Sequence, residues 1–169
     1  MQPPLFRAAS SITADTFTLT YLAGLFDGEG YVGFYDISAY LSSGKRRGRP
    51  RKGTTVVRSK VQHSYGLRIG IGQSGAPGKR LISYLQENFG GRTFFDASYG
   101  SQEQRERRQP AHQWNVSGEK AADLLRAMLP FLRVKRLPAL VAIEFVEAKP
   151  TDAESFERWR VRLLESRQA

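Results

Sequence analysis

The segment from Leu22 to Gly30, with the sequence LAGLFDGEG, constrains the fold more than any other part of the chain. The residues before and within this segment predict a helix. Gly24 lies inside that helix, where a glycine lowers helix stability by about 1 kcal/mol relative to alanine. Gly24 and Gly28 are four residues apart and therefore share one helix face. Small residues on one face let the backbone of another element come close, so we expect a close helix contact there.

An acidic residue, Glu29, follows this face directly and stands between two glycines. If two such helices packed across a twofold axis, two Glu29 carboxylates would lie side by side at the helix ends. Adjacent carboxylates repel each other unless a cation lies between them. A pair of divalent ions would neutralise them and could also hydrolyse a phosphodiester. The same residues, considered alone, also fit a helix that ends at glycine beside an exposed acid.

The charge of the chain indicates a polyanionic partner. Its 169 residues fit one domain, and the formal net charge is +10, so nucleic acid is the first candidate and an acidic membrane surface the second. The chain has no cysteine and only two histidines, so metal chemistry would depend on carboxylates, which suit hard ions such as Mg²⁺. Arginine dominates the basic residues, which favours phosphate or guanine recognition but also fits a GC-rich genome.

The sequence shows no apolar run of membrane-spanning length, and the N-terminus lacks the apolar core of a secretory signal. We therefore expect an intracellular protein with no membrane contact.

The order of the predicted elements is typical of an α+β fold with an antiparallel four-stranded sheet. We expect an N-terminal arm at 1–15 and a single domain at 16–169. Thr16 or Thr18 could cap the first helix, and Pro138 predicts a kink in the helical region after residue 130. In chain order we expect a helix that runs through Leu19 to about Asp27, strands at 31–41 and 56–73, a helix at 79–89, strands at 92–99 and 111–116, a helix at 119–128, one or two helices over 130–148, and a final helix at 151–166.

The nine residues of the first segment resemble the LAGLIDADG signature nearly position for position. Phe26 replaces Ile, Gly28 replaces Ala, and Glu29 replaces the last Asp, which keeps a carboxylate. The α-β-β-α-β-β-α order is similar to the family fold, with its saddle-shaped sheet, along most of the chain. Lys135 lies in a segment, LPFLRVKR, that resembles the family's second landmark, where a Lys lies near the active site. Gln73 lies where the family often carries a polar residue that orders water.

The resemblance implies a homing endonuclease of the single-motif type. Such a protein hydrolyses double-stranded DNA at a long pseudo-palindromic target as a metal-dependent homodimer. It implies catalytic roles for Glu29, Gln73 and Lys135, and a metal held by the Glu29 carboxylate and the Gly28 carbonyl. Mg²⁺ is the expected metal, with Mn²⁺ or Ca²⁺ as substitutes in binding, and the expected location is a bacterial or phage cytoplasm or an organelle. The predicted dimer interface comprises Leu22, Ala23, Gly24, Phe26 and Asp27.

Basic and aromatic residues that could face a duplex lie in one loop and along several elements. The loop at 45–52 contains Arg-Gly-Arg-Pro, which fits an AT-hook or a basic loop that contacts phosphates without sequence preference. In the first strand Tyr31 and Tyr35 alternate with Val32 and Phe34, and the pattern leaves open which pair faces the duplex. The predicted DNA-binding residues are Tyr35, Lys45, Arg46, Arg47, Arg49, Arg51, Lys52, Arg58, Lys60, Arg68, Lys79, Arg80, Arg92 and His112.

Two other functions fit the same fold. An intron maturase would bind RNA and assist splicing, and a regulator would bind DNA without cutting it. Glu29, Gln73 and Lys135 together favour the nuclease over the regulator, because a silent protein does not need a metal-binding acid. Nuclease and maturase activities can coexist, so the sequence leaves the maturase open.

Overall fold

The computed structural model describes residues 15–37, 64–96 and 111–168. The predictions for most of the N-terminal arm, for the loop at 45–52 and for the outer parts of the first two strands fall outside these ranges. Within them, no helix has the length and apolarity that crossing a bilayer requires.

The described residues form helices and strands in the order that the sequence predicts. After the first αββαββα unit, two further helices follow. The elements are α1 (Thr16–Glu29), β1 (Gly30–Asp36), β2 (Tyr65–Ser74), α2 (Gly75–Phe89), β3 (Arg92–Asp96), β4 (Ala111–Ser117), α3 (Glu119–Met128), α4 (Arg136–Ala148) and α5 (Ala153–Glu165).

The sheet has the strand order β1-β2-β4-β3, and all three neighbouring pairs are antiparallel. This confirms the predicted α+β class with an antiparallel four-stranded sheet. One sheet face carries the core, because Leu67, Ile69 and Ile71 of β2 and Trp114 of β4 are fully buried against the helices. The other face is not covered by the described helices.

Helix α1 begins at Thr16, slightly earlier than either predicted cap implies. Its N-cap is Asp15, not Thr16 or Thr18, and the Asp15 carboxylate accepts a hydrogen bond from the Thr18 amide at 2.7 Å. This bond lowers the pKa of Asp15. Asp15 therefore acts as the N-cap, and the helix begins at the next residue.

The sequence predicts one or two helices over 130–148 with a kink at Pro138, whereas the structure has a single helix that starts later than predicted. Helix α4 begins at Arg136, so Pro138 lies in its first turn. Proline is tolerated there because an N–H in the first turn has no helical partner to lose. The preceding residues form turns, which leave the segment 129–135 as an irregular connection between α3 and α4.

Gly30 lets β1 begin directly after α1. Its backbone amide donates to the Phe26 carbonyl, and its backbone is extended. A Cβ at this position would lie 2.3 Å from Phe26 Cδ2 and 2.5 Å from the Phe26 carbonyl oxygen. Only glycine fits without displacing Phe26, which is fully buried.

We expect Gly30→Ala to lower the free energy of unfolding by about 1–3 kcal/mol, because the added methyl group overpacks against Phe26. Gly33→Ala is the matched control in the same strand, since no described atom lies within 4 Å of the place that its methyl group would take. Urea unfolding of both variants measures the difference. Equal losses would show that the contact with Phe26 is not the reason for glycine at position 30.

Candidate active site and nucleic-acid interface

Glu29 is the last residue of α1, and its side chain is exposed. The buried Leu22 and Phe26 anchor the helix in the core, so the position of its end is fixed. The C-terminal end of a helix carries partial negative charge on its carbonyl groups. The Glu29 carboxylate adds a full charge there, and the two together favour a bound cation.

The segment between α3 and α4 brings Lys135 to the same helix end. Its ammonium group donates a hydrogen bond to the backbone carbonyl of Asp27, two residues before Glu29. The Lys135 side chain is half-buried in this position. The structure therefore places a basic group beside the last turn of α1.

Asp27 has a role that the sequence analysis did not identify. The sequence predicts it in the dimer interface, but its carboxylate is bonded within the chain. Oδ2 accepts the Arg133 amide at 2.7 Å, and Oδ1 accepts the Lys135 amide at 2.8 Å. These partners are more than 100 residues away in sequence, so no local pattern could have predicted the contact.

Gln73 lies near the end of β2. Ile71 pairs with Gly30, the residue that follows Glu29, so Gln73 lies two residues further along β2 at this end of the sheet. Gln73 itself pairs with His112 of β4 and is half-buried. By strand alternation its side chain shares the helix-covered face with Ile71.

The described residues of one chain do not by themselves form a complete set of metal ligands. The described residues contain no group of three or more His, Cys, Asp or Glu side chains that could hold an ion. Both Asp27 carboxylate oxygens already accept backbone amides, which leaves Glu29 as the solvent-facing carboxylate of this turn. Mg²⁺ typically takes one or two protein carboxylates and completes its shell with water and phosphate. The donors present fit such an ion if a second chain contributes its own Glu29.

The outward face of α1 carries exposed aromatic residues and glycines. Phe17 is 84% exposed and Tyr21 49% exposed. Gly24 and Gly28 are also exposed, and no described atom lies within 4 Å of a methyl group built on either. Tyr21 meets Tyr84 of α2 edge to face, with ring centroids 6.4 Å apart.

Three of the predicted interface residues lie on the opposite side of α1. Leu22, Ala23 and Phe26 are fully buried in the core of the chain. A second chain packed on α1 would therefore meet Tyr21 and Gly24 and not these three residues. Among the predicted interface residues, Gly24 lies on the outward face.

The alternation in β1 divides its residues between the two faces of the sheet. Tyr31 and Tyr35 stand opposite Gly70 and Gly66 of β2 on the uncovered face, whereas Val32 is buried beneath it. A Cβ at Gly66 would lie 2.6 Å from the Tyr35 ring. The glycines of β2 thus make room for the tyrosine rings.

Interactions within this face hold its polar side chains in place. The Arg68 guanidinium lies over the Tyr35 ring, 4.7 Å from its centroid, in a cation–π contact. The Tyr31 hydroxyl donates to Asn115 Oδ1 at 2.5 Å, and Asn115 is only 7% exposed. Burial raises the pKa of Tyr31, although the charge of Arg68 acts in the opposite direction. The phenol therefore stays protonated and keeps its donor at neutral pH.

A basic groove of about 400 Å³ crosses this face. Its walls combine cations with aromatic and amide groups, which is the mixture that suits phosphates beside bases. The lining residues include Tyr35, Arg68, Arg92, Phe94, Asn115 and Lys120.

The predicted DNA-binding residues are divided among different parts of the molecule. Tyr35, Arg68 and Arg92 lie together in the groove. His112 pairs with Gln73 on the helix-covered face, and its ring centroid is 5.0 Å from that of Phe95. Lys79 and Arg80 are exposed near the start of α2, away from the groove. Outside the described residues lie Lys45, Arg46, Arg47, Arg49, Arg51, Lys52, Arg58 and Lys60.

The groove also contains residues that the sequence analysis did not select. Phe94 is 49% exposed on the edge strand β3, and Asn115 and Lys120 come from β4 and α3. The alternation of β4 could have indicated Asn115, since Trp114 and Val116 flank it as core residues. No pattern in the sequence indicates Lys120 as a groove residue, because a lysine in the first turn of a helix is usually solvated.

No family model matches the chain, and no curated protein matches its sequence. The structure is similar to crystal structures of the homing endonuclease I-CvuI. One holds I-CvuI in complex with the I-CreI target in the presence of Mg, with the DNA not cleaved; it has a TM-score of 0.56 and 14% identity, over 89% of this chain and 80% of that one. Another holds I-CvuI with its target Sro1.3 in the presence of Ca, with a TM-score of 0.53 and 14% identity, over 90% and 78% of the two chains. At this identity the likeness establishes the fold: the chain has the α+β fold of the homing endonuclease I-CvuI.

Proposed function

We propose that this chain is a site-specific endonuclease that cuts double-stranded DNA as a metal-dependent homodimer. The observation that carries the proposal is the exposed Glu29 carboxylate at the end of α1, with Lys135 bonded to the same helix turn. The fold is shared with I-CvuI, which has been crystallised with target DNA in the presence of Mg or Ca. That similarity supports DNA as the substrate and a divalent ion as the cofactor.

The outward face of α1 supports a second copy of the chain as the partner. The space above Gly24 and Gly28 leaves room for the backbone of another helix to approach closely. Burying the exposed rings of Phe17 and Tyr21 would stabilise the contact. A twofold axis at these glycines would make the interface isologous and bring the two Glu29 carboxylates to one place.

The residues at the helix end would divide the chemistry among them. Glu29 and the Gly28 carbonyl would hold a divalent ion. When bound, such an ion lowers the pKa of a water and stabilises the leaving oxygen. The Lys135 ammonium would donate to an oxygen of the scissile phosphate and so stabilise its developing charge. Gln73, at the end of β2, would orient a water by hydrogen bonding.

The uncovered sheet face would hold the duplex. Arg68, Arg92 and Lys120 can neutralise phosphates, which provides most of the affinity for DNA. Phe94 is 49% exposed and can contact a base edge, since an apolar ring suits a thymine methyl group. Two such faces in a dimer would read a target with approximate twofold symmetry.

Glu29→Gln keeps the size of the side chain and removes its charge. We expect single-turnover cleavage with Mg²⁺ to fall by roughly 10³-fold or more, because the ion and everything that it activates are lost. DNA binding in a gel-shift titration should persist or tighten, since two acids near phosphates are removed. Glu165→Gln, an exposed glutamate at the end of α5, is the matched control and should cut normally.

Cleavage by Glu29→Gln at the normal rate would contradict the metal-binding assignment. If the unmodified protein binds a duplex tightly but never cuts with Mg²⁺ or Mn²⁺, the DNA-binding regulator replaces the nuclease. If the unmodified protein binds intron RNA in preference to duplex DNA, the intron maturase replaces the nuclease as the proposed function.

The variants Arg68→Ala and Arg92→Ala test the sheet face. Each should weaken DNA binding and reduce the slope of log K against log salt by ~0.9 for each phosphate that the arginine no longer neutralises. Arg160→Ala is the control, because Arg160 is exposed on α5, on the helical side of the molecule. A loss of affinity in the control equal to that in the two groove variants would show that net charge, and not this face, determines binding.

A further inference from the structure

We propose that Asp27 is the positioning residue for Lys135: its carboxylate fixes the turn at 133–135 and thereby keeps the Lys135 ammonium at the helix end that bears Glu29. The inference rests on the proposed nuclease function and assigns a new residue to that site. Asp27 itself would touch neither the DNA nor the metal.

The hydrogen bonds of Asp27 carry the argument. Each carboxylate oxygen accepts one backbone amide, from Arg133 at 2.7 Å and from Lys135 at 2.8 Å. Bonds of this length to an ionised acceptor are about twice as strong as bonds between neutral groups. Because each oxygen binds a different amide, the carboxylate holds the turn at two points, and together they restrict the orientation of its backbone.

The surroundings of the turn show why it needs such a clamp. Residues 129–135 form neither a helix nor a strand. The amides of Leu129, Phe131 and Leu132 still bond to carbonyls of α3, whereas the amides of Arg133 and Lys135 bond to the Asp27 carboxylate. Leu132 is buried at 1% exposure and anchors one side, but Val134 is 76% exposed. Helix α4 starts immediately after Lys135. Asp27 therefore joins the end of α1 to the start of α4.

The clamp also determines where the Lys135 side chain can lie. With its backbone amide bonded to the Asp27 carboxylate, its ammonium group reaches back to the Asp27 carbonyl. A lysine side chain is a flexible four-carbon stem and would otherwise sample many positions. Two acids of one helix turn thus have different roles: Asp27 faces into the chain and holds Lys135 in place, while Glu29 faces solvent.

Asp27→Asn is the test variant, because the amide oxygen keeps one backbone bond while the NH₂ group opposes the other donor. Asp27→Ala, which removes both bonds, is the stronger change. Asp152→Asn is the matched control, since the Asp152 carboxylate likewise accepts a backbone amide, that of Ser155 at 2.7 Å, but on α5. Circular dichroism confirms that each variant is folded before it is used.

The first measurement is the acylation of lysines in the protein without DNA or metal, followed by mass spectrometry. The rate at Lys135 is divided by that at Lys149, whose side chain is 76% exposed in the same chain. We expect this ratio to rise severalfold in Asp27→Asn, further in Asp27→Ala, and not at all in Asp152→Asn. An unchanged ratio in folded Asp27→Asn and Asp27→Ala would overturn the proposal.

The second measurement is a double-mutant cycle on single-turnover cleavage at saturating DNA. Asp27→Asn should slow cleavage on the order of 10- to 100-fold, as expected for a residue that orients a reacting group, with DNA affinity unchanged. In a Lys135→Met background it should cost nothing further, because Asp27 acts through Lys135. Losses that multiply in the double variant would contradict the positioning role. If the unmodified protein cuts no DNA, the proposed function fails, and the acylation ratio alone decides whether Asp27 holds Lys135.

Discussion

The packing of one face of α1 into the core is the constraint on which the rest of the structure depends. Phe26 is fully buried, and position 30 must be glycine because a Cβ there would overlap with the Phe26 side chain and carbonyl. Because β1 therefore starts immediately after the helix, Glu29 is held at the junction of helix and sheet. The same packing turns Gly24 outward and aims Asp27 at the turn before α4.

The sheet depends on a second division, between its two faces. On the helix side, β2 presents a continuous apolar row that includes Leu67 and Ile69. On the other side, the glycines of β2 accept the rings of Tyr31 and Tyr35, and Arg68 lies over the latter. One strand thus supplies both the core and the groove, so the candidate site at the end of α1 and the proposed DNA surface are built on the same packed sheet.

The sequence predicts those features that depend on local patterns. Alternation and helical spacing identify the order of the elements, and the spacing of Gly24 and Gly28 identifies a shared face. The spacing could not show that Ala23, beside Gly24, belongs to the core, because one step around a helix separates the buried face from the exposed one. Nor could it predict the bonds of Asp27, whose partners come from the far end of the chain. A family resemblance indicates Lys135, whereas Phe94 and Lys120 join the groove only through the fold, which brings β3 and α3 to the same place.

The most direct test of a homodimeric nuclease is the sequence of the DNA ends that the protein produces from a library of long randomised duplexes with Mg²⁺. We expect double-strand breaks at an enriched sequence with approximate twofold symmetry about the cut, since two copies of Glu29 and two copies of the groove would act together. Breaks at an enriched sequence without symmetry would contradict the homodimer. No breaks above the level that Glu29→Gln gives would contradict the nuclease.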